Sequence, residues 1–335
     1  VRWSGFLGAA LLGSCALALS SCSATRSVDE VLERTEPAPV ARDVAAPLPK
    51  AAPAAGTAAA PDPSPSDGTD EVPLAPAEVL APMDPRELTR LASQRLKSST
   101  EACTALLPRA RAEDASYEDL MAASRALILN ADLRLQSTLA LQTAPGPTSP
   151  PEALIDLEDD VSGELKSEIR SLATGSASFA QRALALRPGD PAAELFSTLG
   201  TGLRLWSLPT FQALASGAAT TLPGQIKRLA AASPEFEGAS PLRLKGRFQS
   251  RAPWPFKDLE EGRDTLAAAV EVAPIPLNLL FLGDAHWLCG EEASARDRWR
   301  EALVAPADAE TEGAAPFIRE IARRRLASAA NSTGR

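Results

Sequence analysis

Histidine is nearly missing from this chain: His286 is the only one among 335 residues. A catalytic dyad or metal site that needs two imidazoles cannot be assembled within it, which removes most zinc and hydrolase chemistry. Positive charge is also in deficit, with 34 Lys and Arg against 43 Asp and Glu for a net charge of -9. That sign is wrong for neutralising phosphates, so nucleic acid is not an expected partner. Sustained period-two alternation is missing as well, and the expected fold is all-α. Nucleotide loops, nucleophile elbows and paired metal-ligand motifs are not found, so no cofactor and no catalysis are expected.

Of the four cysteines, Cys15 and Cys22 stand in an apolar N-terminal stretch, "VRWSGFLGAALLGSCALALSSC". Arg2 precedes an uncharged run from Phe6 to Leu19, followed by small residues, the pattern of a secretory signal peptide over 1–21. "LSSC", Leu19 to Cys22, resembles the lipobox of bacterial lipoproteins, and the resemblance implies that Cys22 becomes a lipidated N-terminus. "LGSC" at Cys15 is a competing lipobox with a shorter apolar core, and a retained span is the other alternative, although about 20 apolar residues are needed to cross a bilayer. Ser23 stands where such lipoproteins carry an inner-membrane retention aspartate, so the resemblance implies an outer-membrane anchor facing the periplasm. Cys103 and Cys289 fall on apolar faces of expected helices, where a cysteine acts as a small hydrophobe; an oxidising envelope also permits a disulfide between them.

Residues 22–83 follow as a proline- and alanine-rich linker without the periodic apolar residues that offset ordering entropy. At about 3.1 Å per residue in polyproline II, such a tether reaches on the order of 100 Å from a membrane. The helical domain is expected over 84–330. Leu88, Leu91, Leu96, Cys103 and Leu106 form one stripe behind Asp84 and Pro85, and Ser116 with Asp119 resembles a capping box ahead of a second stripe. From Glu152 to Leu186 a helix interrupted at Gly163 and Gly175 is expected, with "LEDD" (Leu157 to Asp160) as a solvated face. "RRR" (Arg323 to Arg325) serves the dipole of the last helix.

A repeat emerges toward the C-terminus. "LFLGDAHWLCGEEASARDRWREALVAP" fits the tetratricopeptide pattern: Leu282–Gly283, His286 at the tyrosine, Gly290 at the turn, then Ala295, Trp299 and Ala302. An earlier unit places Gly262, Leu266, Ala269 and Pro274 in register, with Gly246 at its close crossing and Lys245 departing from the usual leucine. "SASFAQRALALRPGD" supplies a partial third. Between the halves of the earlier unit lies "QSRAPWPFK", whose prolines forbid helix around Trp254 and Phe256. These two aromatics either fill the seam between hairpins or meet a ligand or partner.

The stretches "LPGQIKRLAAASPEFEGASPLRLKGRFQSRAP", "DLEEGRDTLAAAVEVAP" and "PLNLLFLGDAHWL" resemble the T-component (TatT-like) lipoproteins of tripartite ATP-independent periplasmic (TRAP) transporters, sharpest over 222–306. That resemblance implies a tetratricopeptide-like array, a ring-like homo-oligomer with an apolar channel, and work beside a periplasmic solute-binding protein or on an apolar small solute. The alternative is a tetratricopeptide scaffold or pilotin-like lipoprotein for envelope assembly with no small ligand. In either case Arg243, Arg247, Asp284 and Trp287 occupy first-helix positions expected on the concave face, as against surface charge and a core aromatic. Asn278 is expected to cap or bridge the inter-repeat turn.

Overall fold

The computed structural model describes residues 81–142, 149–209, 212–213, 216, 218–252, 256–309 and 311–332. The expected signal peptide with Cys15 and Cys22, nearly all of the tether, and Trp254 lie outside the described residues. Among the described residues the chain is all-helical. The helices are α1 (Pro85–Arg111), α2 (Tyr117–Leu141), α3 (Pro151–Asp156), α4 (Gly163–Leu186), α5 (Pro191–Trp206), α6 (Ala218–Ala232), α7 (Phe236–Arg251), α8 (Leu259–Val272), α9 (Pro276–Leu288), α10 (Glu292–Val304) and α11 (Ala315–Ser332).

Local chemistry sets most of the starts. The Asp84 carboxylate accepts from Arg86 N at 2.8 Å with Pro85 in the first turn, and the Ser116 hydroxyl accepts from Asp119 N at 3.1 Å. Asp190 caps α5 ahead of Pro191 and also accepts the Tyr117 hydroxyl at 2.6 Å, tying the start of α2 to the start of α5. The expected break at Gly163 is real but lies in the turn before it, where Ser162 caps α4; no break occurs at Gly175, and α4 runs on to Leu186. "LEDD" is a turn and no helical face, with Asp159 N bonded to Asp156 O at 2.9 Å and Asp160 N to Leu157 O at 3.2 Å.

Consecutive helices pack as hairpins: α1 on α2, α4 on α5, α7 on α8, and α9 on α10. Three of these crossings, α4 with α5, α7 with α8 and α9 with α10, are too close for side chains. A Cβ on Gly246 would lie 2.6 Å from Leu266 Cγ and 2.9 Å from Gly262 O, and one on Gly283 would lie 2.4 Å from Trp299 Cδ1. α7 begins with a left-handed kink through Glu237, Gly238 and Ala239, and its regular helix starts behind it. The last helix, α11, packs on α10 and also on α2, so residues from both ends of the described helical domain share one core: Leu88 and Leu133, Ile155, Leu280 and Trp299, and Phe317 and Ile318. An open repeat array would join each hairpin only to its neighbours; here the chain returns on its first hairpin. Cys103 is buried in α1, Cys289 is half-buried at the end of α9, and both thiols are free.

Candidate functional site

Three arginines stand on one face of α7 at four-residue spacing: Arg243, Arg247 and Arg251. Facing them on α9, at three-residue spacing, are Asn278, Phe281 and Asp284. The two helices meet across a buried polar row. At one end, Arg243 donates to Asn278 Oδ1 at 2.9 Å, to Gly238 O at 3.2 Å and to the Ser240 hydroxyl. Asn278 Nδ2 donates to Ala273 O at 2.8 Å, to Gly238 O at 3.1 Å and to Ala269 O at 3.3 Å. Asn278 thus bridges the α8–α9 turn as expected, and it also fastens the kink that opens α7.

At the centre sits Asp284, 1% exposed. Its Oδ1 accepts from Trp299 Nε1 at 3.2 Å and meets the Arg325 guanidinium from α11, while Oδ2 lies 3.5 Å from Arg247. Arg247 spans the gap between elements: it pairs with Glu158 from the turn after α3, and its guanidinium lies 4.4 Å from the centre of the Phe281 ring. Burial pushes the Arg247 guanidinium below its ordinary value, opposed by Glu158. The same desolvation drives Arg325 well down, helped by repulsion from Arg247. Two guanidinium charges buried this deeply are offset by the carboxylates that touch them, so removing one partner leaves an uncompensated buried charge.

At the other end, Arg251 donates to Asp156 Oδ1 at 2.8 Å and Asp159 Oδ2 at 2.6 Å. Burial alone would lower Arg251, but the Asp156 hydrogen bond and the charges of Asp159 and Glu158 outweigh it and raise the guanidinium. Both aspartates are largely exposed, so this end of the row reaches solvent.

The structure therefore brings Arg243, Arg247, Asn278 and Asp284 together, but covers them. α3, its following turn and α11 lie over the face that was expected to stand open. Trp287 is in the core, stacked on Trp299 with ring centres 5.6 Å apart. Phe256 is half-buried and packs on Phe248 at 6.1 Å. Phe248 in turn borders a small apolar group of Leu205, Leu222 and Ile226. His286 is half-buried, with Nδ1 2.5 Å from Glu291, which also pairs with Arg263.

Sequence reasoning missed Arg251, Arg325 and the acidic turn. Arg251 was detectable, since it extends the Arg243–Arg247 spacing by one more turn of helix. For Arg325 the three successive arginines gave a clue, because adjacent helical residues point apart and one of them must face inward. Glu158 carried no signal, because its partner is 89 residues away.

Among the described residues no helix is long and apolar enough to cross a membrane. No protein-family model matches the chain, and no curated protein matches it in sequence.

Proposed function

We propose that this chain is a lipid-anchored envelope protein whose helical domain binds another protein and catalyses nothing. In this reading Cys22 carries the lipid, residues 22–83 are the tether, and the domain faces the periplasm from the outer membrane. In the same reading its hairpins are tetratricopeptide-like and resemble those of TRAP transporter T-component lipoproteins.

The observation that carries the reading is the α9–α10 hairpin. Gly283 admits Trp299 at the crossing and Ala295 lies alongside, the positions that the repeat pattern assigns to the glycine, the aromatic and the small inter-helix contact. Protein binding is favoured over solute handling because the solvent-reaching end of the polar row, Arg251 with Asp156 and Asp159, offers guanidinium and carboxylate chemistry, which suits peptide groups and not an apolar solute. A second reading, apolar-solute handling in a ring of copies, draws on the Phe256–Phe248 pair beside the Leu205, Leu222 and Ile226 group.

Native mass spectrometry of the full chain, released from detergent, separates the two. A closed oligomer carrying a small apolar adduct that is lost on Trp254→Ala/Phe256→Ala supports solute handling. A species without adduct that cross-links to a periplasmic solute-binding protein in intact cells supports protein binding as an uptake auxiliary. Labelled palmitate incorporated by the full chain, lost in Cys22→Ala and kept in Cys15→Ala, tests the anchor.

A further inference from the structure

Residues 151–162 are held differently from the rest of the domain. α3 has six residues, too few to sustain a helix alone, and it belongs to no hairpin. It rests on α11 and α9. Leu154 and Ile155 are inserted into the interior, while Asp156, Glu158 and Asp159 are presented to the arginines of α7, 89 to 95 residues further along the chain. Asp156 and Asp159 are 60% and 62% exposed, so their bonds to Arg251 hold weakly.

Beside the segment lies a partly open recess of about 20 Å³, room for about one water, which touches Leu139, Leu154, Ile155, Ile321 and Arg325. Arg325, whose side chain is 4% exposed, lines it, and Arg325 Nε makes no hydrogen bond among the described residues. A short acidic segment with apolar anchors, seated on an arginine row beside a partly open recess, has the form of a bound peptide.

We propose that the α7 arginine row, with α11 beneath it, is a docking groove for an acidic, leucine-bearing segment of a partner protein, which residues 151–162 occupy as a built-in competitor. The proposal rests on the protein-binding reading above and names the chemistry of its partner. Arg247 and Arg251 would grip the partner's carboxylates, and Leu154 and Ile155 mark the places its apolar side chains would take. Because the competitor is covalently attached, its effective concentration is high, and a partner must outcompete it or find it displaced.

The test uses a fluorescein-labelled peptide, PEALIDLEDDVS, and the full chain, read by fluorescence anisotropy. In the variant Asp156→Asn/Asp159→Asn the internal segment loses its solvent-exposed grip on Arg251 while Glu158 keeps the buried Arg247 paired. This variant is expected to bind the peptide about tenfold more tightly than the unaltered chain, with no response to a scrambled peptide. Adding Arg251→Ala is expected to weaken that binding about fivefold. A variant with a native circular dichroism spectrum that binds no better than the unaltered chain, or binds the scrambled peptide equally, overturns the proposal.

Should the variant not fold, hydrogen exchange on the unaltered chain decides. Amides of residues 151–162 are expected to exchange about tenfold faster than those of α4, and equal protection would make the segment a fixed part of the core and overturn the groove. A partner protein whose affinity for the full chain is unmoved by Arg251→Ala would overturn this groove and leave the protein-binding reading standing.

Discussion

Two close crossings of the domain are built from different materials. Where α4 crosses α5, Gly200 faces the backbone of Ala173 and Ala177, and the neighbouring contact with α2 is a pair of buried hydroxyls, Ser124 and Ser176, 2.8 Å apart. Where α9 crosses α10, Gly283 faces the Trp299 indole, whose Nε1 donates to a buried carboxylate that itself touches two arginines. The first crossing is satisfied within its own helices. The second depends on Arg325 from α11 and, through Arg247, on Glu158 from a turn far earlier in the chain. An apolar crossing needs only shape from its neighbours, whereas a buried charge needs counter-charges delivered from wherever the fold can supply them.

Removing that delivery should have the largest effect. Asp284→Ala leaves Arg325 and the Trp299 indole without their acceptor and should destabilise the domain by about 3–5 kcal/mol, read as a lowered urea midpoint. The double variant Asp284→Leu/Arg325→Met, which removes both charges, should recover most of that loss; no recovery would mean that Arg247 and Glu158 set the requirement.

Overpacking the two crossings comes next. A Cβ on Gly200 would lie 2.7 Å from Ala173 O and 2.9 Å from Ala177 N, backbone atoms that cannot swing aside. Gly200→Ala should therefore cost about 1–3 kcal/mol, net of the roughly 1 kcal/mol that alanine gains as a helix former. Gly283→Ala meets a side chain, but Trp299 is fully buried and stacked on Trp287, so a loss of the same order is expected. If Gly283→Ala is neutral, the indole has room to turn and this crossing tolerates a methyl group that the α4–α5 crossing does not.

Smaller still is the exposed end of the arginine row. Asp156→Asn and Asp159→Asn should each change stability by less than about 1 kcal/mol, and by less again in high salt.

The last prediction is chemical. Burial pushes the Cys103 thiol up to about 11, while Cys289 is raised less far, chiefly by desolvation at its half-buried site. At pH 8 iodoacetamide should label Cys289 faster than Cys103 by roughly tenfold or more, read by peptide mass spectrometry. The folded state favours the neutral Cys103 thiol, so its contribution is complete below the ordinary value of 9.0 and is lost as pH rises toward about 11.

The legibility of the fold tracks the range of the interactions. Asp84 with Pro85, Ser116 with Asp119, and the glycines at 246, 262 and 283 were readable because a cap or a close crossing is specified by residues within a few positions. The continuity of α4 through Gly175 was not, since one glycine weakens a helix only by about 1 kcal/mol and packing on α2 and α5 decides the outcome. At the site, Arg243, Arg247 and Asp284 were readable as polar residues in one register, and Asn278 as a bridge of the turn before α9. Their enclosure was not, because it comes from α3 and α11, which no local pattern connects to α7 or α9.

By itself, then, the sequence determined most of the helices, several of their starts and the pairing of α7 with α8 and of α9 with α10, because hydrophobic spacing, capping and small residues act over one or two turns. Only the tertiary structure decided that the last helix returns to the first hairpin, that Arg325 meets Asp284, and that an acidic turn lies on the arginines of α7. A buried charge accepts any counter-charge brought within reach, and which one arrives is a property of the closed chain.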